Sequence, residues 1–227
     1  MDIGKDHLNM TFVLLGVITI LLIFNYITIG SLENFVGGKS SSFSSKNIKD
    51  VDVTQIHSTQ QAVAMLFPVS QIKNQEDAIK IMIPIGTPSY GDAMGVSFDD
   101  PVVSLNKLEK AYPALKQQVK QDPELWARYL NLAARPTGIS CEFCCGIGAQ
   151  GIDAKGELRC GCAHNPAVQS VTLWLMKNTD YSDQEILREV MKWKTIFFPR
   201  DMTKIALEVA GKDASEIKDL PGMVGGC

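Results

Sequence analysis

Residues 10–29, MTFVLLGVITILLIFNYITI, form an apolar run of 20 positions without a charged side chain. A helix of that length spans about 30 Å, the thickness of a bilayer core. The pattern therefore predicts a single transmembrane anchor, preceded by a short tail at residues 1–9. The run is longer than the about 7–15 apolar residues of a secretory signal peptide, and no A-x-A-like cleavage site follows it. His7 then reads as an interfacial residue. Residues 30–50 are rich in Ser and Gly and read as a flexible stalk. A short tail, an anchor, a stalk and a long polar domain predict a single-pass protein of the cell membrane with its domain on the extracytoplasmic side. The lysine count on the two sides of the span (Lys5 against Lys39, Lys46 and Lys49) pulls weakly the other way.

Residues 51–227 predict a soluble domain that is mainly α with a small β element. Residues 62–66 read as a short helix closed by Pro68, with His57 a surface or capping residue. Ile79, Ile81, Ile83 and Ile85 recur at period two and predict a strand over residues 78–86, which Pro84 makes an edge strand or ends. Asp92, Asp99 and Asp100 lack the interleaved oxygen ligands of a calcium loop and read as turn residues before Pro101. Ser104 is expected to cap a helix carrying Leu105, Leu108 and Tyr112, interrupted at Pro113. Asp122-Pro123-Glu124 is a matched helix start. It opens a stripe of Leu125, Trp126, Tyr129, Leu130 and Ala133, in which the aromatic pair reads as core. Asn165 with Pro166 predicts another helix start, before Val168, Val171, Trp174 and Leu175. Ser182 with Glu185 reads as a capping box ahead of Ile186, Leu187, Val190, Trp193 and Phe197. A last helix is expected over about residues 201–210, ending at Gly211.

The formal net charge of −3 gives no basic patch for nucleic acid, so DNA and RNA are set aside as partners. The remaining chemistry lies in one place. Five of the six cysteines and one of the three histidines fall within the 24 residues 141–164. Thiolates and imidazole are the donors preferred by Zn(II), Cu(I) and iron–sulfur clusters. Cys141-x-x-Cys144-Cys145-Gly reads as a metal knuckle. The glycine-rich connection, with the turn sequence Asp153-Ala-Lys-Gly156, would fold as a hairpin and bring Cys160-Gly-Cys162 beside it. Cys141, Cys144, Cys160 and Cys162 are the first choice of four ligands. Cys145 and His164 compete for a place, or belong to a surrounding shell or a second ion. The free N–H groups of the following helix would face the thiolates and lower their pKa.

Oxidation is the competing chemistry, since six cysteines permit full pairing outside the cell. Cys144 and Cys145 would take different partners, because a vicinal disulfide strains the backbone. Haem attachment needs C-x-x-C-H, which the chain lacks. Cys227, after Gly225-Gly226, is a possible additional thiol, either as a further ligand or as a resolving cysteine.

At these residues the chain resembles a group of uncharacterised, mostly archaeal, membrane-anchored cysteine-rich proteins. They share segments of the GxSCEFCCG and CGCAHN type, a helix like Trp193-Lys-Thr-Ile-Phe-Phe-Pro199, and the terminal Gly-Gly-Cys. A looser similarity, through Cys160-Gly161-Cys162 alone, links it to small lipoproteins bearing a Pro-Cys-Tyr-Cys-Gly-Cys motif, a likeness that implies metal binding. No Ser/His/Asp set, carboxylate pair or phosphate loop stands out, so binding or transfer is expected rather than substrate chemistry. The expected cofactor is a metal ion (Zn or Cu(I)) or an iron–sulfur cluster. The expected partners are the lipid bilayer and a membrane protein or a metal or electron acceptor. A thiol–disulfide oxidoreductase using Cys144 and Cys145, and a structural metal module for a membrane partner, are the alternatives.

Overall fold

Helix α7 (His164–Asn178) organises the domain, because twelve of its fifteen residues are buried. A helix buried on nearly all sides must be surrounded by other elements. Its neighbours are α4 (Pro101–Lys120), α5 (Pro123–Ala133) and α8 (Asp183–Phe197). The structure is a computed structural model and describes residues 48–215, 217 and 219–226. The predicted anchor, His7, most of the stalk and Cys227 lie outside the described residues. Among the described residues no helix is long and apolar enough to cross a membrane.

The buried hydroxyls of Ser170 and Thr172 on α7 are satisfied inside the bundle. Ser170 Oγ donates to the Leu108 carbonyl of α4 at 2.6 Å, and Thr172 Oγ1 donates to the Val168 carbonyl at 3.0 Å. A second layer is built by α9 (Pro199–Val209). It packs on α8, on α1 (Thr59–Leu66) and on α2 (Gln75–Met82). A one-turn helix, α3 (Gly91–Met94), precedes α4, and another, α6 (Glu142–Cys145), follows α5.

Several helix starts follow the local signals in the sequence. Asp122 accepts from the Glu124 and Leu125 N–H groups ahead of Pro123, and Ser182 and Glu185 form both bonds of a capping box. Gly211, with φ 67°, follows α9. Ser58 caps α1, and His57 beside it is exposed.

Four expectations are corrected. Residues 75–82 form a helix and not a strand. Asn74 accepts from the Asp77 N–H, Glu76 and Asp77 occupy the first turn, and Lys80 pairs with Glu76 at 2.7 Å. Ala78 and Met82, four apart, carry the burial, while Ile85 is 85% exposed, so the period-two isoleucines do not share one buried face. Pro113 does not interrupt α4. It sits on an exposed stretch, where the carbonyl it leaves unbonded can take water. Asp100, not Ser104, caps that helix, and Ser104 is buried with its hydroxyl donating to the Ser97 carbonyl at 2.8 Å. Finally, α7 starts at His164 with Ala163 as its cap residue, two residues earlier than expected, because the Asn165 side chain is used elsewhere. The β content among the described residues is an isolated Ile152–Leu158 bridge.

Candidate metal centre

Three segments converge on the N-terminal end of α7. The first leaves α5, where Thr137 Oγ1 donates to the Leu132 carbonyl at 3.0 Å, and carries Cys141 into the α6 turn. The second is the expected hairpin turn. The Gly156 N–H bonds the Asp153 carbonyl and the Asp153 N–H bonds the Glu157 carbonyl, with Gly156 at φ 80° and lying under the Trp126 ring. The third is α7 itself, preceded immediately by Cys160-Gly161-Cys162.

Two side chains of α7 fasten both cysteine segments. Asn165 Nδ2 donates to the carbonyls of Gly151 (2.9 Å) and Cys160 (3.2 Å). Gln169 Nε2 donates to the Ile139 carbonyl at 3.0 Å, and its Oε1 accepts from the Tyr129 hydroxyl at 2.9 Å. A Cβ at Gly151 would stand 2.5 Å from Gln169 Nε2 and closer still to Asn165 Oδ1 and the Ile139 oxygen. Gly151→Ala is therefore expected to separate these groups, at about 1–3 kcal/mol for each buried polar atom left unpaired. A urea denaturation midpoint equal to that of the parent would refute this packing account.

The sulfurs of Cys141, Cys145, Cys160 and Cys162 all lie within 4.8 Å of one another, and they could hold a metal ion. Cys141 and Cys162 are 3.1 Å apart, and Cys141 and Cys145 are 4.0 Å apart. Four sulfurs about 2.3 Å from a tetrahedral ion stand about 3.8 Å from one another, so the cluster has the scale of one ion. Cys145 and Cys160 are joined as a disulfide, and Cys141 and Cys162 are free thiols. A second group, Cys144, Cys162 and a ring nitrogen of His164, also lies within 4.8 Å. All six residues singled out in residues 141–164 are thus brought together. Their grouping differs from the first choice: Cys145 stands with the four sulfurs, and Cys144 stands with His164. The cause is local. Cys141 precedes a helical turn, so the residue four positions on returns to its side, and that residue is Cys145.

Charge at the site is set by neighbours. Cys162 holds the Cys141 thiol up through their shared hydrogen bond, and burial adds to this. The Cys162 thiol is held down by Cys141 first, then by the His164 side chain and the Asn165 and His164 backbone N–H groups. Those N–H groups are the free helix end expected from the sequence. Behind Cys141 lies a group not anticipated from the sequence, the fully buried ammonium of Lys194. It donates to Thr59 Oγ1 (2.9 Å), the Gly138 carbonyl (2.9 Å) and Glu142 Oε1 (2.8 Å). Burial lowers its pKa, while Glu142 and then Cys141 oppose that shift. The Lys194 ammonium also stands 5.1 Å from the Phe143 ring centroid. Phe198 completes an apolar wall, 5.4 Å from the Phe143 ring and 4.8 Å from the His164 ring. Lys194, Phe197 and Phe198 all come from the Trp193–Pro199 stretch.

The chain matches no protein-family model, no curated protein and no solved structure.

Proposed function

We propose that this is a membrane-tethered metal-binding protein whose reduced Cys141, Cys145, Cys160 and Cys162 hold a soft centre, Zn(II), Cu(I) or an iron–sulfur cluster. Its role would be metal handling or electron transfer with an acceptor at the membrane, on the extracytoplasmic side. The observation that carries this reading is the convergence of four sulfurs within 4.8 Å from segments fixed by α7. Opening the Cys145–Cys160 bond supplies the remaining two thiolates. The buried Lys194 cation beside Cys141 favours negative charge there, which four thiolates require.

The test is elemental analysis with an absorption spectrum on the full-length chain, reduced and purified without oxygen. Stoichiometric zinc or copper without colour supports a thiolate site, and broad visible absorbance identifies an iron–sulfur carrier. No bound metal under these conditions refutes the reading. Because thiolates bind and thiols do not, affinity is expected to fall as pH is lowered, through proton competition. A pH-independent affinity would exclude thiolate ligation.

One observation favours a second reading, a thiol–disulfide oxidoreductase. A disulfide, Cys145–Cys160, lies beside two free thiols, with Cys141 Sγ 4.0 Å from Cys145 Sγ. That arrangement allows Cys162, the thiol held down and within 4.8 Å of both disulfide sulfurs, to attack one of them as thiolate and release the other as thiolate, a rearrangement without net oxidation. It predicts a reversible two-electron couple in the metal-free protein, and the absence of one in a redox titration removes it.

A further inference from the structure

His164 is more than a neighbour of the four sulfurs. Its side chain is completely buried, and its ring is held between Phe197 (5.4 Å) and Phe198 (4.8 Å). Its Nε2 lies 2.8 Å from the Val224 carbonyl oxygen. A carbonyl accepts only, so Nε2 carries the proton. In the neutral ring Nδ1 is then a bare lone pair, and it is buried with no hydrogen-bond partner. Buried acceptors rarely stay unpaired, and one that does calls for an explanation such as an ion. Metal-bound histidines typically donate their other N–H to a backbone carbonyl or carboxylate, and the Val224 bond is a contact of that kind. The tail that supplies it is itself fastened. The Val224 N–H bonds the Phe197 carbonyl at 2.8 Å, and Arg200 Nε donates to the Leu220 carbonyl at 2.9 Å.

The geometry points to a second metal position beside the four-sulfur site, bound by His164 Nδ1 and the Cys162 thiolate, with Cys144 Sγ, once reduced, in range. Cys162 belongs to both groups, so its thiolate bridges two ions, and the centre is a dinuclear cluster of Zn(II) or Cu(I) class. This inference rests on the four-sulfur reading and adds the second ion to it. Val224 sets the ring tautomer, so the C-terminal tail is a positioning element for this ion.

The experiment uses the reduced full-length chain, titrated without oxygen with ¹¹³Cd(II) as probe, in parallel with His164→Gln. Glutamine keeps an N–H for the Val224 carbonyl and removes the Nδ1 lone pair. The expected result is two equivalents and two cadmium resonances in the parent, falling to one of each in His164→Gln. The ¹⁵N resonance of Nδ1 in the parent is a readout independent of how the variant folds. It shifts with the second equivalent when the nitrogen is a ligand, and stays in place when the ring only packs. One equivalent in the parent with an unmoved Nδ1 overturns the second position and leaves the four-sulfur site standing. No bound cadmium overturns both.

Discussion

Lys194→Met is expected to lower the stability of the domain by about 3–5 kcal/mol, the usual cost of removing one partner of a buried ion pair. The ammonium is wholly buried and makes all three of its bonds to Thr59, Gly138 and Glu142, thereby tying α1, the loop before Cys141 and the α6 turn to α8. Without it, Glu142, whose side chain is 16% exposed, loses its donor, and the Gly138 carbonyl keeps only the Ser140 N–H. The double variant Lys194→Met with Glu142→Leu should recover much of the loss, because the unpaired carboxylate is then gone as well. Urea denaturation of the parent and the variants measures both effects. A single-variant cost below about 1 kcal/mol, typical of an exposed pair, would show that Lys194 does not hold the cysteine loop.

Cys141→Ser is expected to weaken metal retention by more than the about 10–100-fold that follows from losing an outer-shell partner. Cys141 is fully buried, within 4.0 Å of both Cys145 and Cys162. The helices should survive this change, because the contacts of α7 with α4 and α8 do not run through the cysteines. Competition with a chelator gives the affinity, and circular dichroism gives the helix content. Unchanged retention would remove Cys141 from the ligand set. Loss of helix on metal removal would make the site structural.

The helices that open with a cap side chain and a well-placed proline or acid were legible in the sequence, because their signals are local. Asp122-Pro123-Glu124 and Ser182 with Glu185 are read the same way in isolation and in the fold. Residues 75–82 were not, since alternating isoleucines satisfy a strand pattern while Asn74 and Asp77 quietly support a helix. The meeting of the two cysteine segments, 141–145 and 160–162, followed from the spacing and the turn at residues 153–156. The division of labour between Cys144 and Cys145 did not, because it depends on the single helical turn α6. Lys194 was hidden by its charge. Its place four residues after Val190 and three before Phe197, on the inward stripe of α8, was the available sign.

X-ray absorption at the edge of the bound metal, on the full-length chain purified without oxygen, tests the central claim most directly. The account predicts a sulfur-dominated shell at about 2.3 Å. A shell of nitrogen and oxygen alone, or a protein without metal, would contradict it.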